Sequence, residues 1–484
     1  MTTVATSQPL SPFARLAPLW VALGAVGSVI LVLFGTMIGA LPRPGTTSWW
    51  FTLSGINNSL VHIGFYAGVL LVLVGWWGLG AYARQGRLSV AKCWGVLVVW
   101  ATPLFLGPPL WSRDLYSYVA QGDLAHAGMN PYKVAPDALG PGPITSSIST
   151  VWLHTTSPYG PLFVMVSKQL SAIGGSLIEQ LFIYRGVELI GIALIMVCLP
   201  PLARRLGSDP GVALWLAVLS PLALWSYVAS GHNDTLMIGL MIAGLAVAKS
   251  GRREIGIALC AMGAAIKLPA AGAIVFLIAE AFVKGQKKDR VGVVAKGALI
   301  TLVVLVGITM LSGLGWAWLS PAALKIPTEI RVLSTPLVSL GNFIGAILHN
   351  IGLPITVHTM ISIVRLLGSI ATALAVLYLL WQVRSYEIVR LIGVALLVVV
   401  LGSPTVWPWY FMWAVAVLAA TSAQRSKALA ALAALAMLVV GAGGTPILNG
   451  WMVWITGPLM VVAIAYLASG QRWKGVIGEP QRVA

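Results

Sequence analysis

Long apolar runs separated by short polar breaks recur along the chain, and they constrain its fold more than any other feature. In a lipid bilayer every backbone N–H and C=O group needs a partner within the protein, so only helices or closed barrels can cross. Runs of about 20 apolar residues match a helix that spans the hydrocarbon core. The pattern therefore predicts an all-α polytopic membrane protein, with one integral membrane domain over residues 1–484.

The runs predict about fourteen transmembrane helices, at the usual ~20 residues per crossing. The first run is too long for the apolar core of a signal peptide, so we expect it to remain as a spanning helix. The predicted spans are 17–40, 59–82, 91–110, 180–203, 209–229, 234–249, 254–268, 269–284, 292–314, 358–382, 388–402, 408–422, 427–443 and 450–469.

The charges predict how these helices are oriented. Only 9% of the residues are charged, although the net charge is +17. Roughly 21 of the 30 Lys and Arg residues fall in alternate loops on one side, which the positive-inside rule makes cytoplasmic. Both termini are then cytoplasmic at the plasma membrane. Because the cations are spread over these loops, their excess does not predict nucleic-acid binding. No spacing of Cys or His is typical of a metal site, so we expect neither metal nor cofactor.

Two long segments, 111–179 and 315–357, are predicted to face away from the cytoplasm. Both are moderately apolar and rich in Gly and Pro, which is typical of loops that pack on the membrane surface as short amphipathic helices. In the first loop, Ser157-Pro158-Tyr159-Gly160-Pro161 precedes an apolar stretch over 162–173. Lys168 lies within that stretch, so the sequence predicts an interfacial helix there.

The first loop opens with a polar, aromatic-rich segment that runs from Trp111 to Asp123. Acidic residues number only 13 in 484, and a carboxylate at a membrane edge is costly unless it is solvated or paired. The pattern predicts a helix over 115–126, on which Asp114, Tyr118 and Gln121 share one face. Asp114 is therefore the first candidate for chemistry. The alternative is that it caps this helix, because Asp is a favoured N-cap residue.

Two further polar sites lie on the predicted outer side. His232-Asn233-Asp234 occupies a very short turn between two predicted spans, where the alternative is a turn with an Asp N-cap. Lys267 ends a predicted span far from the basic side and needs a partner. A phosphate group suits an ammonium well, although the lysine can also extend to the lipid headgroups.

The second loop and the end of a later span add further candidates. Arg331 is a second candidate phosphate ligand, and the alternative is a local ion pair with Glu329. Trp407, Trp409 and Tyr410 lie at a broken helix on the outer side. Aromatic side chains at this depth usually anchor a protein in the interface, but aromatic faces also bind sugars.

Taken together, these motifs resemble the GT-C glycosyltransferases, which are polytopic enzymes that use polyprenyl-phosphate sugars. Arg113-Asp114-Leu115-Tyr116-Ser117-Tyr118, Gln121-Gly122 and Asn130-Pro131-Tyr132 are similar to the polyprenol-phosphomannose-dependent α-1,6-mannosyltransferases of mycobacteria and corynebacteria, of the MptA and MptB type. His232-Asn233-Asp234 and Trp407-Pro408-Trp409-Tyr410 also fit that group. Many GT-C members have a second acidic residue beside the first, whereas Leu115 follows here, so a single carboxylate is expected, with Asp234 as a candidate assistant.

The resemblance implies an inverting transfer of mannose from polyprenyl-phosphomannose to a mannosylated phosphatidylinositol or a growing α-1,6-mannan of lipomannan and lipoarabinomannan. Asp114 would act as general base. The residues expected to hold the donor phosphate are Lys267, Arg331 and Arg113. Those expected to contact substrate are Tyr116, Tyr118, Gln121, His232, Asn233, Asp234, Trp407, Trp409 and Tyr410.

Two other functions remain open from the sequence. One is the same fold with a polyprenyl-phosphate arabinose donor, which would make the chain an arabinofuranosyltransferase. The other is a transporter or flippase for a lipid-linked sugar. Transporters place polar groups near the bilayer midplane and often contain inverted repeats. The polar residues here gather at one side and no repeat is apparent, which favours the enzyme.

Overall fold

The computed structural model describes residues 11–43, 50, 55–320, 326, 335–421, 440–444, 452, 454–459 and 461, and these residues contain helices but no β-strand. The predicted all-α class is confirmed. The longer helices are α1 (Ala17–Ile38), α2 (Asn58–Arg84), α3 (Val90–Leu106), α4 (Asp114–His126), α5 (Pro161–Ile173), α6 (Leu177–Arg205), α7 (Pro210–Ala217), α8 (Asp234–Lys249), α9 (Arg253–Ala264), α10 (Ala271–Lys284), α11 (Arg290–Ser312), α12 (Pro336–Asn350), α13 (Val357–Trp381), α14 (Ile388–Gly402) and α15 (Phe411–Ala419).

Helices occur at each predicted span from the first to 408–422, while 427–443 and 450–469 lie mostly outside the described residues. Within those residues, five helices are long and apolar enough to cross a membrane. A sixth is added if α7 and the following helical segment, which bend by 48°, form one span. Shorter helices such as α15, with 9 residues, do not reach the ~20 residues of a full crossing, so the count of fourteen stays a prediction.

Glycine contacts draw the helices close together. A Cβ atom at Gly191 on α6 would lie 2.4 Å from the carbonyl oxygen of Thr235 on α8. A Cβ atom at Gly239 would lie 2.7 Å from the carbonyl oxygen of Gly191. Small residues permit this backbone approach between membrane helices. The contact places the beginning of α8 against the middle of α6.

The two ends of α8 have different surroundings. At its last residue, Lys249 Nζ lies 3.3 Å from Glu280 Oε1 and 3.0 Å from Glu387 Oε1. Arg205 also donates a hydrogen bond of 2.7 Å to the carbonyl oxygen of Lys249. A helix of 16 residues is about 24 Å long, so Asp234 at the other end is far from this cluster of charged residues.

The first predicted outer loop contains α4 and α5, close to the predicted positions. Helix α4 begins one residue earlier than expected and ends before Gly128, which has a φ of 79°. It packs tightly on α5, since a Cβ atom at Gly122 would lie 2.4 Å from Ser171 Oγ. The loop is therefore a folded layer at the end of the helix bundle.

A fully buried arginine fixes the segment that leads into α4. Arg185 on α6 donates hydrogen bonds of 3.3 and 2.9 Å to the carbonyl oxygens of Leu104 and Gly107, at the end of α3. The last carbonyl groups of a helix have no partner within it, and a cation there also interacts favourably with the helix dipole. Arg185 thus satisfies the end of α3 just before the chain turns toward Asp114.

Candidate active site

The Asp114 carboxylate faces the interior of the site. Asp114 is the first residue of α4 and Arg113 is the N-cap residue, without a side-chain capping bond, so the N-cap interpretation is wrong. Trp152 donates a hydrogen bond of 2.9 Å from Nε1 to Asp114 Oδ1. Asp114 Oδ2 lies 3.4 Å from His232 Nδ1. Since Asp114 is only 7% exposed, its carboxylate is held in a nearly closed environment.

A cavity of about 200 Å³ opens beside this carboxylate. Asp114 lines it together with two arginines and four tryptophans, among other residues. The charged and aromatic residues that line it are Arg43, Trp111, Arg113, Asp114, Trp152, Trp407 and Trp409. A cavity that combines a carboxylate, cations and flat aromatic surfaces can accommodate a sugar that carries a negatively charged group.

The two arginines converge from different parts of the chain. Arg113 donates hydrogen bonds of 2.9 and 3.0 Å from Nη1 to the carbonyl oxygens of Leu41 and Ser147. Burial lowers the pKa of Arg113, the Tyr116 ring opposes this effect, and the positive charge of Arg43 lowers that pKa further. Two guanidinium groups near each other repel, so an anion between them is favoured.

Arg43 was not identified from the sequence. Arg43 follows the first predicted span, on the side of the membrane opposite the basic loops. Lys267 became a candidate because it lies on that same side. That argument, applied to every cation on the outer side, would have identified it. The contact between Trp152 and Asp114 could not be predicted from the sequence in this way, because a tryptophan in an outer loop is usually an interface anchor.

Apart from Asp114, the predicted substrate-contacting residues of α4 pack into the protein and do not line the cavity. Tyr116 donates a hydrogen bond of 2.6 Å to the carbonyl oxygen of Ala40. Tyr118 donates one of 3.4 Å to Asn233 Oδ1, and burial, reinforced by nearby negative groups, raises its pKa well above the usual value. Gln121 accepts a hydrogen bond of 2.8 Å from Ser157. These side chains hold α4 in place around Asp114.

Lys267 has a protein partner. Its Nζ donates hydrogen bonds of 2.9 Å to both carboxylate oxygens of Asp234, which is fully buried. Trp413 donates a further hydrogen bond to Asp234 Oδ1. The ammonium also lies 4.6 Å from the ring centroid of Tyr410. The need of Lys267 for a partner, expected from its position, is met in this structure by Asp234.

The aromatic residues at the broken helix form a stacked column with His232. The ring centroids of His232 and Trp409 are 3.9 Å apart, with planes inclined by 22°. Trp407 stacks on Trp409 at 5.1 Å. Tyr410 turns away and stacks on Trp413 at 4.4 Å. Trp407 and Trp409 therefore border the cavity, whereas Tyr410 belongs to the surroundings of Lys267.

The structure thus brings together the predicted site residues of the first loop, the turn at 232–234, Lys267 and the broken helix. Arg331 and Glu329 lie outside the described residues. A late segment also contributes, since Gly443 and Gly444 line the cavity. Gly443 donates a hydrogen bond of 2.7 Å from its backbone N–H to the carbonyl oxygen of Leu110.

A buried carboxylate that shares a cavity with arginines and tryptophans, in a protein with several membrane-length helices, is compatible with a membrane-bound enzyme that acts on a sugar. Comparison with known proteins also indicates a glycosyltransferase. A family model described as "Alpha-(1->6)-mannopyranosyltransferase, N-terminal domain" matches residues 21–283, and the MptB C-terminal domain model matches residues 337–469. The chain belongs to this alpha-(1→6)-mannopyranosyltransferase family.

Individual relatives extend over most of the chain. Alpha-(1→6)-mannopyranosyltransferase A of Mycobacterium tuberculosis is 32% identical over 426 residues, covering 84% of this chain and 81% of the relative. A probable alpha-(1→6)-mannopyranosyltransferase of Mycolicibacterium smegmatis is 32% identical over 440 residues, covering 82% and 78%. Alpha-(1→6)-mannopyranosyltransferase B of Corynebacterium glutamicum is 27% identical over 443 residues, covering 83% and 73%. No solved structure matches the chain.

Proposed function

We propose that this protein is an inverting glycosyltransferase that moves mannose from polyprenyl-phosphomannose to a growing α-1,6-mannan, of the lipomannan and lipoarabinomannan type. The observation that carries the proposal is the position of Asp114 in a cavity that also contains Arg43, Arg113 and Trp409. The names of the relatives support the transferred sugar and the linkage. A mannosylated phosphatidylinositol or a mannan chain is the proposed acceptor.

In the proposed reaction, an acceptor hydroxyl attacks the anomeric carbon of a β-linked mannosyl phosphate from the opposite face. The new C–O bond forms as the bond to the phosphate oxygen breaks, which inverts the centre and gives an α-linkage. Asp114 accepts the hydroxyl proton as general base. The transition state has oxocarbenium character, as in glycoside hydrolysis.

The leaving phosphate needs positive charge where its own negative charge develops. Arg43 and Arg113 line the same cavity as Asp114 and supply that charge in our proposal. Lys267 is paired with Asp234 in this structure, and its role as a phosphate ligand stays a prediction, as does that of Arg331. The partly exposed ring of Trp407, which stacks on Trp409, offers an apolar surface for a sugar.

A lipid-borne donor agrees with the position of the site in the molecule. Lys249, which is followed by Arg252 and Arg253, and the site near Asp234 lie at opposite ends of α8. If the basic end faces the cytoplasm, as the positive-inside rule predicts, the site faces the outer side of the plasma membrane. The prenyl chain would then remain in the bilayer while the sugar phosphate enters the cavity.

Asp114→Asn tests the base assignment. Because an amide cannot accept the proton, transfer of radiolabelled mannose from polyprenyl-phosphomannose to a short α-1,6-mannoside should fall by about 10²- to 10⁴-fold. Thermal unfolding in detergent serves as the control for folding. Transfer at the wild-type rate by a folded Asp114→Asn protein would overturn the proposal.

Arg43→Gln tests the phosphate site. Loss of one charge-assisted hydrogen bond costs about 1.5–3 kcal/mol, so the donor KM should rise by roughly tenfold or more. Arg252→Gln, an exposed position at the basic end of the molecule, is the matched control and should leave the donor KM unchanged. An unchanged donor KM in Arg43→Gln would remove Arg43 from the site.

A further inference from the structure

His232 has a rigid environment, although it belongs to a short turn. The residue is fully buried, and its ring stacks on Trp409 at 3.9 Å. Its backbone N–H donates a hydrogen bond of 3.1 Å to the carbonyl oxygen of Ser226. Its own carbonyl oxygen accepts hydrogen bonds from the backbone N–H and from Oγ1 of Thr235, at 3.2 and 2.8 Å. The ring is therefore fixed from the backbone and from one face.

Neither ring nitrogen of this buried histidine makes a hydrogen bond within the described structure. Nδ1 nevertheless lies 3.4 Å from Asp114 Oδ2, which is within ion-pair distance but outside hydrogen-bond geometry. A buried polar group without a partner costs about 1–3 kcal/mol. Catalytic hydrogen bonds are often long in substrate-free enzymes and shorten when substrate binds. The 3.4 Å contact between His232 Nδ1 and Asp114 Oδ2 has the length expected of a hydrogen bond that shortens when substrate binds.

Building on the proposed role of Asp114, we propose that His232 is a positioning residue that donates its Nδ1–H to Asp114 Oδ2 when substrate is bound. Trp152 already donates to Oδ1, so the carboxylate would then be held at both oxygens and could not rotate. Each oxygen keeps a further lone pair for the acceptor hydroxyl.

The aromatic column links this bond to the cavity. Trp409 lines the cavity and stacks on His232, and it also stacks on Trp407. A sugar bound against the partly exposed Trp407 would therefore contact the ring of His232 indirectly, through Trp409. The other charged groups next to the turn, Asp234 and Lys267, satisfy each other at 2.9 Å. Asp114 is therefore the carboxylate that Nδ1 faces.

Two substitutions of His232 show whether its Nδ1 positions the Asp114 carboxylate or whether the ring only fills space. The amide nitrogen of an asparagine side chain occupies nearly the position of histidine Nδ1, whereas that of glutamine corresponds to Nε2. If His232 acts through Nδ1, His232→Gln should lower kcat by up to about 10²-fold, the cost of misplacing a catalytic group by 1 Å. His232→Asn should retain most of kcat, and the donor KM should be unchanged in both variants.

A matched control is available within the same loop layer. His154 Nδ1 lies 2.8 Å from Asp137, and the side chain of this histidine is 69% exposed. His154→Gln should leave kcat and the donor KM unchanged, which controls for the loss of a histidine beside a carboxylate. Thermal unfolding of all variants in detergent reports whether each is folded.

The outcomes distinguish this inference from the proposed function. If Asp114→Asn is inactive but folded His232→Gln has wild-type kcat, the positioning role is wrong and the base assignment stands. If His232→Gln is more active than His232→Asn, the residue only fills space and the inference also fails. An independent test measures whether His232 Nδ1 carries a proton, from the ¹⁵N chemical shifts of histidine-labelled wild-type protein with bound donor lipid. An Nδ1 of His232 without a proton would overturn the proposal even if every variant were unfolded.

Discussion

Asp114 and Asp234 are two buried carboxylates with closely similar local settings. Each is the first residue of a helix, α4 and α8 respectively. Each accepts a hydrogen bond from the Nε1 of a tryptophan, Trp152 for Asp114 and Trp413 for Asp234. From the sequence, each has the same alternative explanation as a helix cap.

Their remaining contacts differ. Both oxygens of Asp234 accept hydrogen bonds from Lys267, and the residue is fully buried. Asp114 has no lysine or arginine within ion-pair distance in the described structure, lies 3.4 Å from a histidine and borders the cavity. A carboxylate whose oxygens are both paired with a cation has little capacity left to accept a proton, whereas one that keeps unused lone pairs beside a cavity has that capacity. Our proposal therefore assigns a structural role to Asp234 and the chemical role to Asp114.

The largest expected effect on stability comes from Asp234→Asn. Removing one member of a buried ion pair leaves the other charge uncompensated, which costs about 3–5 kcal/mol of unfolding free energy. Asp114→Asn should change the same quantity by less than about 1 kcal/mol, because it breaks no ion pair with Lys or Arg. Thermal unfolding in detergent measures both.

The double variant Asp234→Asn, Lys267→Met sharpens this result. It removes both charges, so it should be more stable than Asp234→Asn alone. One result would contradict the assignment of roles. It is a stable Asp234→Asn protein without transfer activity, together with a destabilised Asp114→Asn protein that keeps its activity.

A smaller effect is expected from the two tryptophans. Trp152→Phe removes a hydrogen bond to the Asp114 carboxylate. If the loss of about 1.5–3 kcal/mol falls on the transition state, kcat should fall by roughly 10- to 100-fold. Trp413→Phe removes the corresponding bond to Asp234 and should lower the unfolding free energy, with little change in kcat. Transfer assays and unfolding curves on the same preparations test both. Equal losses of kcat in the two variants would contradict the division of roles.

The smallest effect is expected at Gly444, which lies beside the segment that precedes Asp114. A Cβ atom there would be 3.1 Å from the carbonyl oxygen of Trp111 and 3.3 Å from Ser112 Cα, with a φ of 80°. Gly444→Ala should cost about 1 kcal/mol from backbone strain and should also lower kcat by displacing Asp114.

Gly140→Ala is the control for Gly444→Ala. Gly140 has a φ of 76° but no atom within 4 Å of the added Cβ, so it reproduces the strain without the contact. It should lower stability by a similar amount and leave kcat unchanged. A matching loss of kcat in both variants would show that strain alone explains the result.

Much of this site could be predicted from local patterns. Spacing on one helix placed Asp114 and Tyr118 on a polar face, and the charge map indicated that Lys267 needs a partner. Both conclusions depend on neighbours in sequence or on position relative to the membrane. The helical class also followed from the apolar runs, since backbone hydrogen bonding in lipid leaves few alternatives.

The tertiary partners could not be predicted in the same way. Lys267 pairs with Asp234, 33 positions away, and Trp413 reaches the same carboxylate across 179 positions. Nothing in the local sequence distinguishes these partners from other polar residues on the same side. Arg43 had a local signal, an outer-side cation, but no polar motif around it drew attention. Its proximity to Arg113 emerges only when the cavity is formed.

The cavity is assembled from both matched regions of the chain. Arg43, Arg113 and Asp114 belong to the region over 21–283, whereas Trp407, Trp409 and Gly444 belong to that over 337–469. The lining of the cavity is therefore complete only when both regions are present. A fragment limited to the first region would retain Asp114, Trp152 and His232 yet lack Trp407 and Trp409.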